Sequence, residues 1–148
     1  MSIINLDYIS STPLLPEVQE AMINAIKQNY GNPSSAHKLG DIAKEALESA
    51  REKVAKLINC ASPDEIVFTS CGTESINHAI KGVALAKKDK GRHIITSNIE
   101  HNSVLKTLRR LRSYGYRITS VSVDRYGMVD PSLVYKNIKD DTILVTIM

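Results

Sequence analysis

A turn between an apolar stretch and a helical pattern carries the first residues that could bind a ligand. The stretch 66–69 is followed by Ser70-Cys71-Gly72-Thr73, which opens into a helix. Glycine lets a ligand approach the main chain closely, and the unpaired N–H groups of a helix N-terminus favour an anion. The hydroxyls of Ser70 and Thr73 can donate as well. The turn could therefore bind a phosphate. The alternative is an ordinary strand-to-helix turn in which a hydroxyl caps the helix and no ligand binds. The absence of GxxxxGK[ST] excludes a P-loop, and the GxGxxG pattern of dinucleotide-binding turns does not occur either.

A histidine follows the next predicted strand. His101 lies in the loop 98–103, directly after the strand 93–97. Because ligands of parallel sheets gather beyond the carboxyl ends of the strands, His101 and the turn at Gly72 should lie at the same edge. Histidine can stack on a ring, donate to it or move protons near neutral pH. Taken alone, a helix cap or a surface residue is the commoner role, but two such loops at one edge support each other.

The other histidines and the cysteines predict no metal site. His37, His78 and His93 form no HExxH pair, and Cys60 and Cys71 lack a CxxC partner. Neither a zinc site nor a disulfide scaffold is therefore expected, and a reducing compartment fits. Cys71 stands beside a helix N-terminus, which can lower a thiol pKa, although a small buried packing residue is the commoner outcome.

Alternating strands and helices must position these loops. From residue 65 the two types of element alternate, which predicts βαβ crossovers and an α/β fold with a mainly parallel sheet covered by helices. An N-terminal strand and two helices precede this region. The predicted strands are 3–8, 65–69, 93–97, 116–123 and 142–148. The first predicted helix runs from Pro16 to near Gly31, and the others cover 37–59, 73–86, 102–114 and 131–138.

Composition and charge restrict the classes of binding partner and the cellular compartment that we expect. The chain has 148 residues, 43% of them hydrophobic and 24% charged, which is typical of one globular domain. A formal charge of +3 is too small for the basic field that nucleic-acid binding needs. No signal peptide and no long apolar run are present. We expect a soluble, cytoplasmic protein without a nucleic-acid or membrane partner.

Several short motifs together resemble one enzyme family. In order and spacing they are similar to the N-terminal part of cysteine desulfurases of the NifS/IscS group, which are class V, fold-type I enzymes dependent on pyridoxal 5'-phosphate. The resemblance spans essentially the whole chain. The motifs are Leu6-Asp7-Tyr8, Ser11-Thr12-Pro13, Gly31-Asn32-Pro33-Ser34-Ser35-Ala36-His37, Ala50-Arg51-Glu52-Lys53-Val54-Ala55, Glu65-Ile66-Val67-Phe68-Thr69-Ser70, Thr73-Glu74-Ser75 and Glu100-His101.

The resemblance gives the candidate residues specific roles. It implies that Gly72 and Thr73 bind the cofactor phosphate, and that His101 lies against the pyridine ring. From the place of His101 in the loop after the strand 93–97, we predict that it lies over this ring and assists proton transfer instead of capping a helix. It implies a homodimer whose active site is near the subunit boundary. The reaction would convert L-cysteine to L-alanine and pass the sulfur to an enzyme thiol as a persulfide. A sulfur acceptor or scaffold protein of iron-sulfur or thiocofactor assembly would be the partner.

The resemblance also predicts how the chain is organised. Residues 1–14 would be an N-terminal arm, and residues 15–148 the N-terminal portion of a truncated large domain that binds the cofactor. The family's Schiff-base lysine and nucleophilic cysteine lie further along than Met148, and the apolar run 142–148 has no polar cap. We therefore expect the remainder of the enzyme beyond residue 148, and no desulfurase activity from this chain alone. Alternatives are another class V enzyme, such as a selenocysteine lyase or an aminotransferase, and a non-catalytic remnant that pairs with a partner subunit.

Overall fold

The computed structural model of the chain describes residues 4–148. Its contacts divide the chain into two compact units, one ending at Val67 and the other beginning at Phe68. The predicted division into an arm, 1–14, and a partial large domain, 15–148, stays a prediction. No helix among residues 4–148 is both long and apolar enough to cross a membrane.

Two helices and one short turn of 3₁₀ helix form the first unit. They are α1 (Pro16–Gln28), α2 (Lys38–Leu57) and the 3₁₀ turn Pro63–Glu65. Proline suits the first turn of α1 because the N–H that it lacks would have no partner there. The His37 Nδ1 accepts a hydrogen bond from the Gly40 N–H at 3.2 Å and so caps α2. Both helices therefore confirm the predicted periodic segments, with ends that differ by one to three residues.

A close approach of main chain explains the glycine near the start of α2. A Cβ atom at Gly40 would collide with the carbonyl oxygens of Ser35 and Asn32. The loop 31–35 therefore folds back against the first turn of α2, which a larger residue at position 40 would prevent.

Three helices and a parallel sheet form the second unit. The elements in chain order are α3 (Gly72–Ala86), β1 (His93–Ser97), α4 (Asn102–Arg112), β2 (Arg117–Val121), α5 (Pro131–Asn137) and β3 (Thr142–Thr146). The strand order is β2-β1-β3, and both pairings are parallel. All five residues of β1 are buried, as expected for a central strand. This confirms the predicted α/β fold with crossover helices.

One apolar core joins α3 and α4 to the sheet. Its buried members are Ile80, Ala84, Ile94, Val104, Leu108, Leu111 and Tyr116. Burial of a side chain as large as Leu or Ile stabilises the fold by roughly 1.5–3 kcal/mol. The Tyr116 hydroxyl donates to the Ala84 carbonyl oxygen at 2.7 Å, so its polar atom is also satisfied inside the core. The core therefore fixes the positions from which α3 and α4 start.

A buried histidine spans the sheet at the amino ends of its strands. The His93 side chain, on β1, hydrogen-bonds through Nδ1 to the Thr142 hydroxyl at 2.7 Å and through Nε2 to the Thr119 hydroxyl at 2.8 Å. Burial lowers its pKa, and the positive charge of Lys139 lowers it further. His93 therefore links all three strands in its neutral form.

Two predicted strands are wrong, and two predicted strands are too long. Residues 4–8 are irregular and end in a turn, and Ile3 lies outside the described residues. The segment 66–69 is irregular as well, after the 3₁₀ turn. An extended segment becomes a strand only with a neighbour in register, and neither segment pairs with the three-stranded sheet of the described residues. The other two strands stop at Val121 and Thr146.

Candidate functional site

The predicted phosphate turn lies at the start of α3. Gly72 is the first residue of α3, and its N-cap, Cys71, has extended main chain. A Cβ atom placed on Gly72 would meet no atom within 4 Å, so the space in front of this turn is open. The hydroxyl of Thr73, in the same first turn, makes no hydrogen bond within the described part of the chain. Open space, a first turn without a side-chain cap and a spare hydroxyl fit the phosphate of pyridoxal 5'-phosphate.

Ser70 has a different role from the one predicted for it. Its main-chain N–H and its hydroxyl both donate to Glu74 Oε2, at 2.7 and 2.6 Å. These hydrogen bonds lower the pKa of the Glu74 carboxyl and keep it ionised. The Glu74 side chain thus reaches back over the helix start, as in a capping box. The Ser70 hydroxyl holds the turn in shape and is not free for a ligand.

Cys71 is exposed, which corrects the expectation of a buried packing residue. The Glu74 main-chain N–H and the Ser70 hydroxyl both lower the pKa of its thiol. Sequence reasoning identified the helix N-terminus beside Cys71 but not its exposure, because exposure depends on what covers the turn. Cys60, which is partly buried beside Glu65, has a pKa raised by burial and by that carboxylate.

His101 is a helix cap, and the prediction that it would not cap a helix is wrong. Its Nδ1 accepts the Ser103 N–H at 3.1 Å and lies 2.7 Å from the Ser103 hydroxyl. Because Nδ1 accepts from a main-chain N–H, the ring proton of the neutral imidazole resides on Nε2. Nε2 has no partner within residues 4–148, and the side chain is exposed. The cap therefore fixes the ring and leaves a donor, Nε2–H, available to a ligand.

The first turns of α3 and α4 border a common cleft of about 200 Å³. The Thr107 hydroxyl, on α4, donates to the Asn77 side-chain oxygen, on α3, at 2.9 Å and ties the two helices together. Three of the lining side chains are cationic, which favours an anion nearby. The cleft is lined by Thr73, Asn77, Lys81, Ser103, Lys106, Thr107 and Arg110.

Sequence reasoning missed most residues of this cleft, although a signal was present. Thr73, Asn77 and Lys81 are spaced by four, and so are Lys106 and Arg110. Residues four apart share one face of a helix, so each set marks a polar stripe. The sequence does not state that the two stripes face each other, because that depends on how α3 and α4 pack.

The remaining candidates do not assemble into a second site. His37 caps α2 and His93 lies in the sheet, as described above. No group of three His, Cys, Asp or Glu side chains that could hold a metal ion occurs within residues 4–148. Two larger clefts, each of about 410 Å³, border α5 and contain none of the predicted site residues.

Comparison with known proteins identifies relatives over almost the whole chain. The family model described as aminotransferase class-V matches residues 4–148. Cysteine desulfurase IscS of Dictyoglomus turgidum is 53% identical over 97% of this chain, and the match covers 36% of that protein. Cysteine desulfurase IscS of Methanosarcina thermophila is 49% identical over 97% of this chain and 35% of its own length. The chain thus spans about a third of the length of these relatives.

Solved structures agree with these relatives. A NifS-like protein superimposes with a TM-score of 0.87 at 45% identity, covering 93% of this chain and 37% of its own. A structure titled SspA in complex with cysteine gives 0.87 at 38% identity, covering 95% and 40%. DndA from Streptomyces lividans gives 0.83 at 34% identity, covering 98% and 40%.

Proposed function

Because the chain belongs to the class V aminotransferase family, we propose that it forms the N-terminal portion of a cysteine desulfurase dependent on pyridoxal 5'-phosphate. The complete enzyme converts L-cysteine to L-alanine and transfers the sulfur to an enzyme thiol as a persulfide. It supplies iron-sulfur cluster or thiocofactor assembly. The observation that carries this proposal is the 53% identity to a cysteine desulfurase over 97% of the chain.

Gly72 and Thr73 bind the cofactor phosphate in this proposal. The open space at Gly72 admits the phosphate oxygens to the N–H groups of the first turn of α3. The Thr73 hydroxyl adds one charge-assisted hydrogen bond. Lys81, Lys106 and Arg110 line the adjoining cleft and make its electrostatic potential positive. These groups attract and orient the anionic end of the cofactor.

In this proposal His101 orients the pyridine ring of the cofactor and moves a proton to or from the substrate. When bound, pyridoxal 5'-phosphate supplies an electron-withdrawing ring that labilises bonds of the amino acid substrate. His101 is held by its cap to Ser103 and offers Nε2–H to the ring or to the substrate. A histidine in this place can hold or move a proton near neutral pH. Its cap role and its site role use different ring nitrogens and are compatible.

In this proposal the remaining active-site residues come from the part of the enzyme that follows residue 148. The Schiff-base lysine and the nucleophilic cysteine belong to the portion of the enzyme beyond residue 148, since neither Cys60 nor Cys71 matches the nucleophile in position or context. The enzyme is a cytoplasmic homodimer whose site is near the subunit boundary, and it delivers sulfur to an acceptor or scaffold protein. The 148-residue chain alone is inactive as a desulfurase.

The decisive experiment uses the complete protein that contains this chain. Purified with pyridoxal 5'-phosphate, it should form alanine and sulfide from L-cysteine in equal amounts when a thiol reductant is present. Activity confined to selenocysteine would indicate a selenocysteine lyase, and dependence on a keto acid would indicate an aminotransferase. Absence of cofactor binding and of turnover would support a non-catalytic remnant and contradict the proposal.

A further inference from the structure

A buried carboxylate lies in the loop between β1 and α4. Glu100 is 7% exposed, although glutamate is among the residues least often buried. Its Oε1 accepts a hydrogen bond from the Ser97 hydroxyl at 2.5 Å and from the Met148 main-chain N–H at 2.7 Å. A buried carboxylate is stable only when donors compensate for its lost hydration. The Ser97 hydroxyl and the Met148 N–H therefore hold the Glu100 carboxylate in its buried position.

One donor ends β1, and the other follows the end of the neighbouring strand β3. Ser97 is the last residue of β1, and Met148 follows the end of β3, which pairs with β1. In the same loop the Asn98 N–H donates to the carbonyl oxygen of Val121, the last residue of β2. The loop is thus fastened to the carboxyl ends of all three strands. Among the described residues of this loop, Glu100 alone makes a hydrogen bond to the chain segment at the end of β3.

We propose that Glu100 is a positioning residue for His101. It holds the β1–α4 loop against the end of β3, and the next residue, His101, starts α4 with its imidazole capped by Ser103. The tether determines where this imidazole stands relative to the turn at Gly72. The role of Glu100 in positioning His101 for catalysis rests on the proposed function. The tether, which is the pair of hydrogen bonds from Ser97 and Met148 to Glu100, does not depend on any cofactor.

Three variants separate the tether from general stability. Glu100→Ala removes the acceptor of both hydrogen bonds, Glu100→Gln keeps an acceptor oxygen of the same reach without the charge, and Ser97→Ala removes one donor. Leu111→Ala serves as the control because it opens the core at the far end of α4 and leaves the loop untouched. The Ser97 variant also keeps the test informative if Glu100→Ala does not fold.

The first measurement is amide hydrogen exchange of the segment 98–103 by mass spectrometry, on the complete protein. Loss of a hydrogen bond to a charged group corresponds to about a tenfold or greater change in an opening equilibrium. Glu100→Ala should accelerate exchange in this segment by about that factor, Ser97→Ala by less, and Glu100→Gln least. Leu111→Ala should accelerate exchange in α4 without this local effect. Unchanged exchange in Glu100→Ala would overturn the tether.

The second measurement is visible circular dichroism of the bound cofactor, together with kcat and KM for L-cysteine. We expect Glu100→Ala to change the visible band and to lower kcat more than it raises KM, with Glu100→Gln restoring most of both. Equal changes in Glu100→Ala and Leu111→Ala would reduce Glu100 to a structural role and refute the positioning. Absence of a cofactor band in the parent protein would instead contradict the proposed function, while hydrogen exchange still tests the tether.

Discussion

Removal of one hydroxyl tests the phosphate turn without disturbing the fold. Thr73→Val replaces the hydroxyl with a methyl group of nearly the same size and keeps the branched side chain. Because the Thr73 side chain is exposed and its hydroxyl makes no hydrogen bond within the described residues, the free energy of unfolding should change by less than about 0.5 kcal/mol. Any loss of affinity then reports contact with the ligand and not damage to α3.

The expected loss follows from the kind of bond that is removed. A hydrogen bond to a charged group contributes about 1.5–3 kcal/mol, which corresponds to roughly a tenfold to hundredfold rise in Kd. The assay is titration of the cofactor-free complete enzyme with pyridoxal 5'-phosphate, followed by absorbance. Thr73→Ser keeps the hydroxyl and is the matched control, with a Kd expected within about threefold of the parent.

The refuting result is equally specific. If Thr73→Val and Thr73→Ser bind the cofactor as tightly as the parent, Thr73 does not contact the phosphate. The open space at Gly72 would then serve a different ligand atom or none. If Thr73→Ser loses affinity while Thr73→Val binds as tightly as the parent, the methyl group and not the hydroxyl is the important contact, and the assignment of a hydrogen bond is wrong.

Three further predictions concern His101, His93 and the chain by itself. His101→Ala should lower turnover of the complete enzyme by about 10²-fold. His101→Asn keeps a good helix cap but should lower turnover as much, because the imidazole and not the cap is needed. Turnover of either variant within twofold of the parent would mean that His101 only caps α4. The pKa of His93 is lowered in the folded state, so the unfolded state binds the proton more readily, and stability is complete above about pH 6.5 and falls below it. Hydrogen-exchange protection of β1 should therefore decrease by up to about tenfold per pH unit below pH 6.5, relative to His93→Gln, and equal pH dependence in both proteins would refute this. The 148-residue chain with pyridoxal 5'-phosphate should release no sulfide from cysteine. It should also self-associate in sedimentation experiments, since the large side chains of Tyr135, Ile138 and Met148 are exposed. A stable monomer that turns over cysteine would contradict both expectations.

The sequence predicts the second unit well because its signals are local. The apolar spacing of α4 and the short run 93–97 each fit one type of element, and turns flank them. The run 66–69 has the same apolar character but is irregular, because a strand also requires a neighbour in register. Periodicity describes a single segment and carries no information on its partner. The predictions therefore succeed wherever the partner is another of the described strands.

The candidate site shows the same division. The position of Gly72 at a helix start follows from the turn residues that precede the helical pattern, and the structure has it there although the segment before the turn is not a strand. The cap made by His101, the use of the Ser70 hydroxyl by Glu74 and the burial of Glu100 do not follow from spacing. Each depends on which of several possible hydrogen-bond partners is nearest after the chain has folded. Residue types thus indicate the chemistry, and packing decides which atoms remain available for it.

The strand order β2-β1-β3 has a consequence for biosynthesis. During translation β1 leaves the ribosome before β2, and β2 before β3. Of these three strands the central one is therefore the first to emerge, and β2 and β3 each add to one of its edges. None of the three described strands has to insert between two that have already paired. Nascent chains fold progressively from the N-terminal side, so this order lets the sheet assemble in the direction in which it is made.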